Sequence, residues 1–187
     1  MAKAMKITAI ISLLLTVICA LLHIKTANDF FLALAITFGT IAYHFCMRLL
    51  VGEIINALLH NKVDYNKKWF KVGKKEQIIY SKLNVKCWKG KMPTYNKSFF
   101  DSNKHTWDEI ARAMCQSEIV HETIVVFSFL PIVLAFWFGA LPVFISTSVL
   151  SAGLDFMFVI MQRYNRPRII KLINRQKKGV ELSEKSI

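Results

Sequence analysis

The chain has 187 residues, 54% of them apolar, and a formal net charge of +13 from 25 lysines and arginines against 12 acids. The apolar residues stand in four long blocks and the cations lie between and after them, the pattern of an integral membrane protein. Nucleic-acid binding, the other reading of so basic a chain, is disfavoured by four membrane spans.

In chain order, the first block is Ile7–Ile24, an apolar run broken only by small polar residues and His23. A helix needs about 20 mostly apolar residues to cross the hydrocarbon core of a bilayer. Lys3 and Lys6 give this run a basic start like that of a secretory signal. It exceeds the usual ~7–15 apolar residues of a signal, and no small-x-small cleavage site follows, so it reads as a membrane helix. Phe30–Val51 is the second span, and Ile54, Ile55, Leu58 and Leu59 keep a helical spacing beyond it, so that helix is expected to run on along the interface. Residues 61–107 then interleave lysines with Tyr65, Trp69, Phe70, Tyr80, Trp88, Tyr95, Phe99, Phe100 and Trp107, a composition suited to the headgroup level. Lys74–Lys82 reads equally as a short strand or a turn of helix. Thr106, with Glu109 three residues on, has the form of a capping box, and the helix it opens meets no Gly or Pro before Pro131. That helix leads into the third span, Ile119–Gly139. The fourth is Leu141–Met161, and the tail beyond Asn174 reads as basic and frayed.

Residues 61–117 hold twelve lysines and one arginine against five acids, and the tail from Gln162 holds eight cations against two acids. The turn between the first two spans has only Lys25 and Asp29, and the turn at Gly139-Ala140 has no charge. Lys and Arg collect on the cytoplasmic side, so both termini and the 61–117 loop are expected in the cytosol of a multi-pass cell-membrane protein. The expected fold is all-α: a four-transmembrane-helix bundle with a basic, aromatic-rich cytosolic or interfacial loop domain. Its parts are a hairpin over residues 1–60, the loop domain over 61–117, a second hairpin over 118–161 and a basic tail over 162–187. Cys19, Cys46, Cys87 and Cys115 form no C-x-x-C pair and no metal spacing, and read as packing residues.

Ionisable side chains within a membrane are expensive, and each needs a reason. This topology puts His44, Arg48 and Glu53 toward the inner end of the second span. It puts Glu118, His121 and Glu122 at the inner start of the third, and Asp155 in the fourth, eight residues before Arg163. Glu118 and His121, at i and i+3, share a helix face. A carboxylate there can fix the imidazole's tautomer and strengthen it as a base toward a hydroxyl that attacks a thioester. A purely structural Glu–His hydrogen bond fits the spacing equally well. A metal held by Glu118, His121, Glu122 and Asp155 is a third option, but no second spaced histidine motif supports it, and no metal is expected. Asp155 could also form a buried ion pair with His44 or Arg48. At the mouth of the fourth span lies Gln162-Arg163-Tyr164-Asn165-Arg166-Pro167-Arg168, where guanidinium groups could hold a phosphate or carboxylate through paired hydrogen bonds. Lipid anchoring by charge alone is the simpler reading of such arginines, though it needs no particular neighbours.

Four stretches carry a family resemblance: Lys68-Trp69-Phe70, Trp88-Lys89-Gly90-Lys91, Glu118-Ile119-Val120-His121, and the Gln162–Arg168 heptad, the most specific of them. Through these, over roughly residues 65–170, the chain resembles the glycosyl-4,4'-diaponeurosporenoate acyltransferases, small membrane enzymes of staphyloxanthin-type carotenoid biosynthesis. The resemblance implies transfer of a fatty acyl group to a sugar hydroxyl of a membrane glycolipid. His121 with Glu118 would be the acid/base pair. Arg163, Asn165, Arg166 and Arg168, with Tyr164 beside them, would hold the donor's phosphates or the developing oxyanion. Lys89 and Lys91, next to Trp88, would capture an anionic donor, and His44, Arg48, Glu122 and Asp155 would be supporting intramembrane polar groups. The first span lies outside the resemblance, and Glu122 follows the histidine where the family has an aromatic.

The function expected is therefore an integral membrane acyltransferase that draws on a cytosolic thioester. Acyl-CoA or acyl carrier protein would be the donor substrate, no cofactor is expected, and the acceptor is a membrane lipid or glycolipid such as a glycosylated carotenoid. Another lipid-modifying transferase would use the same polar ring, but no Gly-rich nucleotide cradle is present to support it. A non-catalytic lipid-binding or assembly subunit is the remaining alternative.

Overall fold

The computed structural model describes residues 2–92 and 100–184, so Tyr95 and Phe99 of the aromatic-lysine stretch lie outside the described residues. All regular elements among them are helical. Helices α1 (Ala2–Thr26) and α2 (Asp29–Leu59) come first. A 3-10 turn at Lys68–Phe70, α3 (Lys74–Lys82), α4 (Val85–Trp88) and a second 3-10 turn at Lys89–Lys91 follow. Then come α5 (Trp107–Phe127), a 3-10 segment at Leu130–Leu134, α6 (Ala135–Phe138) and α7 (Leu141–Glu184). Four segments are long and apolar enough to cross a membrane: Lys3–Thr26, Asp29–Leu59, Trp107–Phe138 and Leu141–Gly179. The all-α membrane architecture expected from the sequence is the one observed.

Both hairpin turns follow from local chemistry. Ala27 adopts a left-handed φ of 51°, and the side chain of Asn28 caps α2 by accepting from the Phe30 N–H at 2.9 Å. The second turn places Gly139 at φ 76°, a conformation a β-carbon would strain. Pro142 then falls in the first turn of α7, where a missing N–H leaves no carbonyl unserved. The α-helix opened by Trp107 ends at Phe127, and Pro131 lies in the 3-10 segment that follows.

The described chain forms two compact units. The first comprises residues 1–54 and 120–156. Its helices bare apolar faces, as at Ile10 (59% exposed) and Leu14 (58%), which is what a lipid-solvated bundle presents. Gly39 faces Thr16, and a β-carbon added there would make an ordinary van der Waals contact with the Thr16 methyl at 3.5 Å. Tyr43 donates to the carbonyl of Phe127 at 2.9 Å and satisfies one of the carbonyls orphaned at the end of α5.

The second unit comprises residues 55–119 and 157–187. One core joins Val63, Tyr65, Phe70, Ala111, Cys115 and Ile173; another joins Tyr80, Val85 and Ile160. Several of the interleaved aromatics are therefore core residues of this unit and not headgroup contacts: Tyr65, Phe70 and Tyr80 are buried, whereas Trp69 is 65% exposed. Lys74–Lys82 is helix, which settles an alternative the sequence left open. The tail is helical too, since α7 continues without a break through Pro167 to Glu184, where a frayed end was expected after Asn174.

The capping box at the start of α5 is complete. The Glu109 carboxylate accepts from the Thr106 N–H at 2.8 Å, and Thr106 Oγ1 accepts from the Glu109 N–H at 3.3 Å. Replacing Thr106 with alanine removes half of this reciprocal pair and should cost about 1 kcal/mol. Thermal unfolding in detergent measures it; an unchanged melting temperature would show that the cap contributes nothing.

Candidate active site

Arg48 and His121 of the first unit converge on Asp155, which is 2% exposed. Arg48 donates to Asp155 Oδ2 from Nε at 2.9 Å and from Nη2 at 2.5 Å. His121 Nδ1 lies 2.8 Å from the other oxygen, Oδ1. A carboxylate clamped by arginine accepts, so in the neutral imidazole the hydrogen sits on Nδ1 and the basic lone pair on Nε2. The His121 side chain keeps 20% of its surface accessible, against 3% for Asp155. This is the geometry of a base oriented by a buried acid.

Two serines extend the network. Arg48 Nη2 donates to Ser151 Oγ at 2.9 Å, and Ser151 Oγ lies 3.0 Å from Ser128 Oγ. Ser128 gives its own hydrogen to the Ile124 carbonyl at 2.8 Å, so the hydrogen between the hydroxyls comes from Ser151. The chain of donors thus runs Arg48, Ser151, Ser128 and ends on the accepting carbonyl of Ile124, and it satisfies groups that would be costly to leave unpaired in hydrocarbon. His44 is buried one turn from Arg48 and packs edge-on against Tyr43 at 5.4 Å; neither of its ring nitrogens has a partner among the described residues. Glu122 lies half-buried on α5.

The second unit holds a ladder of alternating charge. Arg166 is fully buried: it bonds Glu118 Oε2, donates to the Phe70 carbonyl from Nε at 3.2 Å and Nη2 at 2.7 Å, and lies 5.1 Å over the Phe70 ring. Arg163 bonds the second oxygen of Glu118 from Nη1 at 2.6 Å. Its Nε and Nη2 reach the two oxygens of Glu76 at 2.5 and 3.2 Å, a forked pairing. Tyr80 donates its hydroxyl to Glu76. Burial pushes the Glu76 carboxyl up, but the hydrogen bonds from Arg163 and Tyr80 outweigh it and hold the group below the usual carboxylate range. Burial, then the Glu76 carboxylate, pushes the Tyr80 phenol above its ordinary value.

The turn-spaced residues Tyr164 and Arg168 form a different group. Arg168 donates to the Tyr164 hydroxyl at 2.6 Å and lies 4.4 Å over its ring, and Lys89 Nζ stands 5.0 Å from the same ring. Lys89 also donates to Asn165 Oδ1 at 2.6 Å. Burial, then the charges of Arg168 and Lys86, hold the Lys89 ammonium below the ordinary lysine range. Trp88 bonds the Leu83 carbonyl at 3.1 Å and packs against the Tyr80 core, while Lys91 is exposed.

Two sequence expectations change on this geometry. The carboxylate bonded to His121 Nδ1 is Asp155, not Glu118, whose oxygens are each taken by an arginine. Arg166, expected to hold a donor, is sealed in the core because Glu118 and the Phe70 carbonyl need a buried cation. Of the two partners offered for Asp155, Arg48 forms the pair. Ser128, Ser151, Glu76 and Tyr80 were missed; small hydroxyls inside apolar spans were the available signal for the two serines, and nothing local marked Glu76.

Residues 63–175 match the family model of glycosyl-4,4'-diaponeurosporenoate acyltransferase. No curated protein and no solved structure matches the chain. The match spans more than half of the chain and takes in Glu118, His121, Asp155 and the Gln162–Arg168 heptad, so the chain belongs to this family and is an acyltransferase.

Proposed function

We propose that this acyltransferase moves a fatty acyl group from a thioester donor to a hydroxyl of a membrane glycolipid, with His121 as the general base. The observation that carries the reading is the His121–Asp155–Arg48 chain, which orients an accessible imidazole with a buried carboxylate. The acceptor hydroxyl attacks the thioester carbonyl as His121 Nε2 takes its proton. Collapse of the tetrahedral intermediate breaks the carbon–sulfur bond, and the imidazolium returns the proton to the departing thiolate. Asp155 stabilises the imidazolium formed in between, and Arg48 holds Asp155 in place. No cofactor takes part. The donor is acyl-CoA or acyl carrier protein, met from the cytosol by the basic loop and tail, with both termini on that side of the cell membrane. A glycosylated carotenoid is one acceptor of the required kind.

Mass spectrometry of lipid extracts tests the reading in cells with and without the chain. A glycolipid heavier by one fatty acyl group, present only with the chain, is the expected product. Identical lipid profiles with abundant folded protein would refute it.

Asp155→Asn should lower kcat and leave KM for the donor unchanged, because Asp155 acts through His121 and not on the donor. Steady-state kinetics on the purified variant check this; a rise in KM alone would mean that Asp155 serves binding.

A further inference from the structure

The second unit contains a cleft of about 230 Å³ whose polar lining is Gln77, Tyr80, Arg163, Tyr164, Arg168 and Lys171. Val72 and Pro167 complete its walls, and no carboxylate lines it. Its three cations are not equivalent. Arg163 is neutralised by Glu76 and Glu118. Among the described residues Arg168 bonds the neutral Tyr164 hydroxyl, and neither Arg168 nor Lys171 has an acidic partner. The two lie at i and i+3 and share one face of α7. Lys89, 5.0 Å from the Tyr164 ring, adds a third cation with no acidic partner among the described residues, bonded to the neutral Asn165. Like charges gathered without an acid repel one another, and an anion set among them relieves that repulsion.

We propose that this cleft seats a phosphate group carried on a slender chain. Arg168 offers a planar fork, Lys171 a point charge and Gln77 an amide donor, and the Tyr164 hydroxyl, which accepts from Arg168, has its own hydrogen to give. The volume sets the class. Pockets that enclose drug-sized ligands run from about 300 to 1,000 Å³, so this cleft takes a phosphate with a few flanking atoms and leaves a nucleoside outside. Two sources carry such a group: the phosphopantetheine arm of a soluble acyl donor, and the headgroup of an anionic lipid. The inference deepens the acyltransferase reading, and rests on it only for which source is physiological.

The test is equilibrium binding to the full chain purified in dodecyl maltoside, a detergent without phosphate. The probes are 4'-phosphopantetheine against pantetheine, and dioleoylphosphatidate against dioleoylglycerol. Charge-assisted hydrogen bonds of the usual strength predict a preference of about tenfold or more for one phosphorylated probe over its counterpart. Arg168→Gln/Lys171→Gln should abolish that preference without unfolding the chain, since both side chains are exposed, and Lys171→Glu should weaken it alone. Preference for phosphopantetheine assigns the seat to the donor, and preference for phosphatidate assigns it to lipid. The proposal is overturned if the intact chain prefers neither phosphorylated probe, or if the preference survives in a folded double variant. Binding is read without turnover, so His121→Ala must bind as the intact chain does. Lost transfer with an intact phosphate preference separates failure of the seat from failure of the base.

Discussion

Replacing His121 with alanine is expected to slow acyl transfer by roughly 10²- to 10⁴-fold, the contribution of a positioned general base. The side chain is accessible, and the carboxylate it leaves behind keeps its arginine, so the fold should survive. The loss should appear in kcat with little change in donor KM, because the base acts when the hydroxyl proton moves and not when the donor binds. His121→Ala/Asp155→Asn should be no slower than His121→Ala, since an orienting carboxylate has no effect once the imidazole is gone. Purified variants of matched thermal stability provide the measurement. Additive losses in the double variant would show that the two residues act separately.

The second large effect is on stability. Glu118 is fully buried and each oxygen faces a different arginine, so Glu118→Gln strips the countercharge from the sealed Arg166 and leaves Arg163 with Glu76 alone. Breaking a buried ion pair from one side typically costs about 3–5 kcal/mol because a charge is left buried and uncompensated. The expected result is a large fall in melting temperature and in the yield of folded protein. Glu118→Leu/Arg166→Leu removes the acid together with its sealed arginine and should be markedly more stable than Glu118→Gln, since an apolar replacement of a whole buried pair is often close to neutral. Comparing the two melting curves checks this; a double variant as unstable as the single one would mean that the ladder is held by packing and not by charge.

What was legible in the sequence follows from the range of each interaction. The four spans could be read because a bilayer demands about 20 apolar residues in succession. The cap of α5 could be read because Thr106 and Glu109 satisfy each other within one turn. Partners across the fold could not. The i, i+3 spacing of Glu118 and His121 fixes a shared face on α5 but does not say which groups of α7 face each of them. Asp155 lies 34 residues from His121 and 107 from Arg48. Only the folded first unit shows that it serves both. The heptad was conspicuous, yet its members divide by helical face. Arg163 and Arg166 bond the Glu118 carboxylate, whereas Tyr164 and Arg168 bond each other and line the cleft, whose wall Arg163 also joins. The extent of α7 was misread because basic composition suggests fraying, while Ile173 and its neighbours Ile169 and Ile170 pack into the second unit's core and hold the helix.

The most direct test of the central claim is a transfer assay with the pure chain in vesicles that contain a hydroxyl-bearing glycolipid, started by adding a labelled acyl thioester. Label should pass from thioester to glycolipid with the intact chain, and with His121→Ala only at a rate roughly 10²-fold or more lower. Equal rates with folded His121→Ala, or no transfer from acyl-CoA or acyl carrier protein by the folded intact chain, would contradict the account.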